Sequence, residues 1–411
     1  MTKIKSFCAV RPTRDKAHLV ATRPYYTYKK HIMDAKLEEN PFTFMHIINP
    51  EYGLNDKSPG NSEERFLKVK ERYDEFIADG ILVKDTVPAL YVYQQTKNGH
   101  AYLGVIAGAS VEEYEKDLIK KHEATITSRE QVFVNYLEIT GFNAEPVLLS
   151  HAPSVKLNKV LAEICAERSE YEFSTTDLIK HELWVVTGKR AQEIIDCFAE
   201  INPIYIADGH HRSASSALLA DKLRLKGASK DAISQYFLAF FIDEERLNIL
   251  PFNRVTKDLN GLLPTAFLEA LKENFTVQAT EKHAPEQVHQ IIMFLDEKWY
   301  ELTPKAPVLD TKNPVKQLDG QILTDYILDP ILNIKDLKTD ERIQFVSGEE
   351  GVETLIEKVK KYPQGVGFVL YPIEMSQVKA VADAQLIMPP KSTWVEPKLR
   401  SGLTIYPISD D

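Results

Sequence analysis

Asp208-Gly209-His210-His211-Arg212 sets a carboxylate, two imidazoles and a guanidinium around a single glycine. A guanidinium is a forked cation that grips two oxygens of a phosphate, and an imidazole donates a hydrogen bond or moves a proton near neutral pH. Glycine permits the tight backbone turn that brings unpaired amide N–H groups onto an anion. Residues of these types in this order suit phosphate handling. A plainer reading stays open beside it, with Asp208 as a helix N-cap and Arg212 paired to a nearby carboxylate.

The flanks indicate how the group is held. Pro203-Ile204-Tyr205-Ile206-Ala207 is a short apolar run that predicts a strand, and Ala214, Ala217, Leu218 and Leu225 recur at helical spacing over 213–226 before Gly227 stops the helix. Charged groups at the carboxyl end of a strand that feeds a helix are where α/β units place their ligands.

The rest of the chain must supply the frame. The first fifty residues are broken by Pro12, Pro24 and Pro41 into short extended pieces, and their aromatic content predicts an arm packed over a functional surface. Within the arm, Phe42-Thr43-Phe44-Met45-His46-Ile47 alternates as a strand. Phe66, Val69, Tyr73, Phe76 and Ile77 share one face of a helix from Ser62 to Gly80. Residues 89–93 and 102–107 read as a β-hairpin around Asn98-Gly99, a pair that tolerates the positive φ of a tight turn. Helices are expected at 112–121, 128–139, 156–168 and 191–198, with strands at 171–174, 181–186 and 236–242. Beyond 262, helices at 264–273, 285–294, 318–331, 352–361 and 375–384 alternate with strands at 275–277, 299–302, 343–346 and 367–371. This order predicts an α/β fold, with mixed α+β as the alternative, built on a mixed sheet with helices on both faces. Three regions are expected, 1–150, 151–261 and 262–411, or one integrated domain.

Two further stretches carry chemistry. Met388-Pro389-Pro390-Lys391-Ser392-Thr393 continues to Pro397-Lys398-Leu399-Arg400, and its paired prolines predict an extended loop presenting Lys391, Ser392, Thr393, Lys398 and Arg400 as a cationic, hydroxyl-rich surface. The glycines of a P-loop do not precede Lys391. His122-Glu123 lacks the second histidine of a helical zinc motif, which disfavours a metalloprotease; the pair is a solvated helix end or a contribution to a site from a loop.

Composition narrows the class. Across 411 residues, 44% hydrophobic and 27% charged content describes an ordinary globular protein, long enough for two or three domains. A formal charge of −10 argues against general nucleic-acid binding, which needs a basic face. No apolar run approaches the roughly 20 residues that span a bilayer, and Met1 to Thr13 has no apolar signal core, so a cytoplasmic protein without a membrane partner is expected. Cys8, Cys165 and Cys197 are too few and too scattered for a disulfide framework or a structural zinc site and are expected to be reduced.

Taken together, Pro88-Ala89-Leu90-Tyr91-Val92-Tyr93, the stretch from Ile206 to Arg212, and Met388-Pro389-Pro390-Lys391-Ser392-Thr393 with Pro397-Lys398 and Gly402-Leu403 resemble the DUF1015 family over essentially the whole chain. The Asp208 turn is also similar to the Asp-Gly-His-x-Arg motif of the ParB/sulfiredoxin-like superfamily, whose members bind nucleotide phosphates at a turn that opens a helix. Sulfiredoxin chemistry needs a cysteine in this turn, which is not there, and the motif most resembles that of free serine kinases. The resemblance implies a ParB/sulfiredoxin-like core and a phosphotransferase. Its donor would be ATP, ADP or pyrophosphate with Mg2+, and its small-molecule substrate serine or phosphoserine. Gly209, Arg212, Lys391, Ser392, Thr393 and Lys398 would then hold phosphate, Asp208 would hold magnesium or orient a histidine, His210 or His211 would donate to the phosphoryl group, and Glu123 would be the base. A metal-dependent phosphatase using Asp208, His210 and His211, and a nucleotide-sensing or partner-binding protein without turnover, are the alternatives.

Overall fold

The computed structural model of the chain describes residues 2–409, apart from the side chain of Tyr26. These residues form two compact units. The first comprises 2–121, 125–247 and 397–409, and the second 122–124 and 248–396. Sequence placed breaks at 150/151 and 261/262; the principal crossings between units fall at 247/248 and 396/397.

The first unit is built on a nine-stranded mixed sheet. Its order is Ile119–Lys120, Ile204–Asp208, Val147–His151, Tyr236–Asp243, His100–Ser110, Leu90–Lys97, Lys180–Val186 and Tyr171–Ser174, with Ile4–Lys5 paired to His100–Ser110. Ile204–Asp208 runs parallel to Ile119–Lys120, and Tyr236–Asp243 parallel to Val147–His151. The other pairs are antiparallel. The expected hairpin is present, turning at Asn98 and Gly99 with φ of 52° and 79°. Successive residues Tyr91, Val92 and Tyr93 point to opposite faces and all are buried, so both faces are covered. On one face Val92, Leu149 and Ile206 pack with Leu161 of the helix Val155–Cys165 and Phe198 of the helix Gly188–Ala199. Against Tyr91, the Phe7 ring sits 5.1 Å away and in turn 4.6 Å from Tyr406, so N- and C-terminal segments meet over the sheet.

The arm is ordered, but not as expected. Residues 42–47 do not form a strand; Met45–Ile48 is a helical turn, because the neighbours Phe44 and Met45 are both buried along with Ile47, which an alternating strand on one surface would not allow. Helix 112–121 ends at Glu115, and Ile119–Lys120 joins the sheet instead. Ile77 is partly exposed while its expected companions Phe66, Val69, Tyr73 and Phe76 are buried. The helix after the turn runs His210–Leu225, and Leu218 and Leu225 are 44% and 90% exposed. Its buried side is made of Ala214, Ala217, Leu219 and Ala220, mostly small residues that let the helix approach its neighbours closely.

The second unit has a seven-stranded, wholly antiparallel sheet. Leu355 and Val359 of the helix Gly351–Lys360 cover one face, over Val255, Ile292 and Phe294. Phe267, Leu323 and Ile327 cover the other, over Ile291, Met293 and Phe368. The expected helix 285–294 is instead a loop followed by the strand Ile291–Leu295, buried along its length. A strand covered on both sides reads as an unbroken apolar run, which periodicity does not separate from a buried helix.

Candidate functional site

The strand Ile204–Asp208 pairs regularly with Val147–His151 up to Ile206, then shifts register before Asp208. Such an irregularity re-aims the side chain that follows it. Gly209 comes next with φ 106° and ψ 27°, a conformation that side chains with a Cβ rarely adopt, and the helix opens at His210. Its first turn closes through Ser213 N donating to Gly209 O at 3.1 Å. The Ser213 and Ser215 hydroxyls donate back to the carbonyls of His210 and His211 at 3.0 and 2.7 Å.

Arg212 folds back across the turn. Its Nη1 donates to Pro146 O at 2.5 Å and lies 2.9 Å from the Glu145 carboxylate. Strand direction explains the pairing: Val147–His151 runs antiparallel to Ile204–Asp208, so its lead-in, Glu145-Pro146, lies beside the other strand's carboxyl end. Arg212 Nη2 is also 3.8 Å from Asp208 Oδ2, and Lys398 Nζ donates to the same oxygen at 3.2 Å. Burial works to raise the Asp208 carboxyl, but Lys398 and Arg212 more than offset it and hold the group below its ordinary range. Asp208 is therefore ionised at neutral pH.

Lys398 is positioned by a buried strap. Gln95 Nε2 donates to its carbonyl at 3.3 Å, and Arg400 Nη2 donates to both Asp177 oxygens at 2.9 and 2.8 Å and to Thr175 Oγ1 at 3.0 Å. Burial would raise Asp177, yet Arg400 keeps it lowered. Ser401 and Thr22 exchange backbone hydrogen bonds at 2.8 and 3.1 Å. Gly402 follows at φ 84°, where a Cβ would lie 2.8 Å from the Phe44 ring.

Of the residues expected from sequence, Asp208, Gly209, His210, His211, Arg212 and Lys398 belong to the first unit. Glu123, Lys391, Ser392 and Thr393 belong to the second. The proline loop does not expose all of its polar groups alike. Lys391 is exposed at φ 58°, its carbonyl accepting from the buried Arg254 at 3.0 Å; Ser392 Oγ donates to Pro389 O at 2.7 Å; Thr393 opens a strand paired to Pro251. Arg400, expected on the surface, is buried in its ion pair. Glu123 follows His122, whose carbonyl accepts from Met388 N at 2.8 Å. Sequence reasoning missed Glu145, Asp177 and Gln95; the one local signal was an acidic residue and a proline directly before the apolar run 147–149.

A magnesium ion is commonly held by one or two carboxylates together with substrate phosphates. Asp208 fits that role, being ionised and 34% exposed at its side chain beside two cations that attract phosphate.

The fold and this turn define a mixed α/β protein with charged groups gathered where a strand feeds a helix. The chain belongs to the family described as "Protein of unknown function (DUF1015)", whose model matches residues 4–321. No curated protein matches the chain. Among solved structures it is similar to a free serine kinase in complex with AMP, at 13% identity and a TM-score of 0.36, over 73% of this chain and 91% of that one. It is also similar to SbnI with a C-terminal truncation from Staphylococcus aureus, at 13% identity and a TM-score of 0.38, over 74% and 90%. A conserved hypothetical protein from Pyrococcus furiosus is similar at 15% identity and a TM-score of 0.34, over 73% and 94%.

Proposed function

We propose that this protein is a small-molecule phosphotransferase that moves a phosphoryl group between a nucleotide or pyrophosphate and a hydroxyl such as that of serine, in one direction or the reverse. One observation carries the reading: Arg212 lies over a glycine at positive φ, beside an ionised Asp208 already engaged by Lys398. Phosphoryl transfer is chiefly a matter of positioning and charge neutralisation, and these residues supply both. Arg212 and the first N–H groups of the helix hold phosphate oxygens. Lys398 moves from Asp208 to the phosphate, and Asp208 would hold the magnesium ion. The magnesium ion would supply neutralisation of charge on the phosphate oxygens. His210 or His211 donates to the transferring group. The acceptor oxygen forms the new bond to phosphorus, the bond to the donor's leaving oxygen breaks, and the acceptor proton passes to an imidazole or carboxylate. The likeness of the Asp208–Arg212 turn to the ParB/sulfiredoxin-like motif supports the same reading.

A second reading is nucleotide binding without turnover, which would use the same Arg212 turn to hold the phosphates and leave Arg212 paired with Glu145 and Pro146 when no nucleotide is bound. Phosphorus NMR of the protein with L-serine and each of ATP, ADP, CTP and pyrophosphate, with and without Mg2+, and of phosphoserine alone, separates the two. A new phosphoester or released phosphate supports transfer. Binding without product supports sensing, and no binding to any of them sinks both.

A further inference from the structure

We propose that a cavity in the first unit takes the nucleoside half of the phosphoryl donor, which makes that donor a nucleotide and not pyrophosphate; the inference rests on reading the Arg212 turn as the phosphate end. The cavity encloses about 770 Å3 and is lined by the helices Glu63–Ala78 and Thr127–Thr140 and by the Arg212 turn. That size falls in the range that buries small-molecule ligands.

Its walls differ in chemistry. Arg212 and Ser215 contribute one part, continuous with the turn already described, while Phe66, Phe133 and Tyr136 contribute an aromatic part. Phe66 and Tyr136 meet edge to face with centroids 5.3 Å apart, which fixes the Tyr136 ring from the side and leaves it a firm wall. Phe133 is 40% exposed, an aromatic ring not consumed by the core. Arg65, tied to Glu51 at 3.0 Å, and the solvent-exposed Arg129 add two cations. Among the described lining residues Arg65 is matched by Glu51 and Arg212 by Glu145, and Arg129 adds a further cation that favours an anionic ligand. Pyrophosphate would use the cations and leave the aromatic wall against water. A nucleoside phosphate uses both, with its planar base on the rings and its phosphates toward Arg212.

Calorimetric titration of the full chain with ADP and with pyrophosphate, each with Mg2+, tests this in the wild type and in Phe133→Ala, Val132→Trp and Arg212→Lys. Val132 lines the same cavity, so Trp there fills it instead of emptying it. The expected result is tighter binding of ADP than of pyrophosphate. ADP affinity should fall roughly five- to hundredfold in both cavity variants, as loss of base stacking predicts, with pyrophosphate affinity unchanged. Equal affinities in the wild type, or ADP binding untouched by both cavity variants, would overturn the cavity assignment while leaving the phosphate turn intact. If Arg212→Lys alone is without effect, the turn reading fails and the cavity stands as a nucleotide site of another orientation. If neither ligand binds the wild type, both fall.

Discussion

The guanidinium of Arg212 rests on the backbone of Gly209 so closely that a Cβ built at 209 would lie 3.1 Å from its Cζ. Glycine at this position therefore serves two ends: it adopts φ 106°, and it leaves room for the arginine. Gly209→Ala should cost about 1–3 kcal/mol in backbone strain and push the guanidinium away from Glu145. The measurement is urea denaturation alongside ligand titration. Wild-type values in both would mean that the turn relaxes freely and that Arg212 does not depend on it.

Arg212→Lys keeps one charge and loses the fork that reaches Pro146 O, Glu145 and the neighbourhood of Asp208. Affinity for phosphate ligands should drop nearly as far as in Arg212→Ala. Retention of full affinity by the lysine variant would return the residue to the role of a structural pair.

Lys398→Ala and Asp177→Asn separate the site from its strap. Removing Lys398 takes away a cation that lowers Asp208, so the carboxyl should titrate higher and ligand affinity should fall, with the melting temperature little changed. Asp177→Asn leaves the buried Arg400 without its charge partner, and breaking a buried pair costs about 3–5 kcal/mol, so this variant should melt well below wild type. The same melting loss in both variants would contradict the division.

His181 gives the first unit a pH dependence. It is buried, with Nδ1 2.8 Å from the Tyr93 hydroxyl oxygen, and burial first, then Arg400, push it down to about 3 against the smaller opposing pull of Asp177. Between that value and about 6.5 the unfolded chain binds a proton that the folded one refuses. This contribution is whole above the unfolded value and is lost as pH falls toward 3, by up to about 1.4 kcal/mol per unit. His181→Gln should flatten the decline of the urea midpoint between pH 7 and 4.5. His46 and His151, also lowered chiefly by burial, remain in both proteins, so the difference isolates His181. Identical slopes would sink the assignment.

What sequence revealed were local devices. Asn98-Gly99 announced its hairpin, and Gly209 between an apolar run and a helix announced the turn, because each encodes a backbone conformation within a few residues. What it hid were partners distant in the chain: Glu145-Pro146 lies 66 to 67 residues before Arg212, and Asp177 lies 223 before Arg400. Nothing in the 397–402 stretch marks Arg400 as buried, since a charged residue reads as surface until its partner is known. The strand Ile291–Leu295 misled for the opposite reason, as burial on both faces erased the alternation that distinguishes strand from helix.

The second unit interrupts the first between Leu247 and Pro397, and its entry and exit strands are paired with Asn248 opposite Glu396, so the chain leaves and returns side by side. A ribosome emitting this chain delivers Asp208 and Asp177 long before Lys398 and Arg400, with the whole of 248–396 between the main part of the first unit and its closing segment, 397–409. The nascent first unit must wait, Asp208 with Arg212 but without Lys398 and Asp177 with Arg23 but without Arg400, until the inserted unit has emerged and residues 397–400 arrive to close the strap. Synthesis halted anywhere in the insertion would yield a chain that carries the whole turn at 208–212 and cannot complete it.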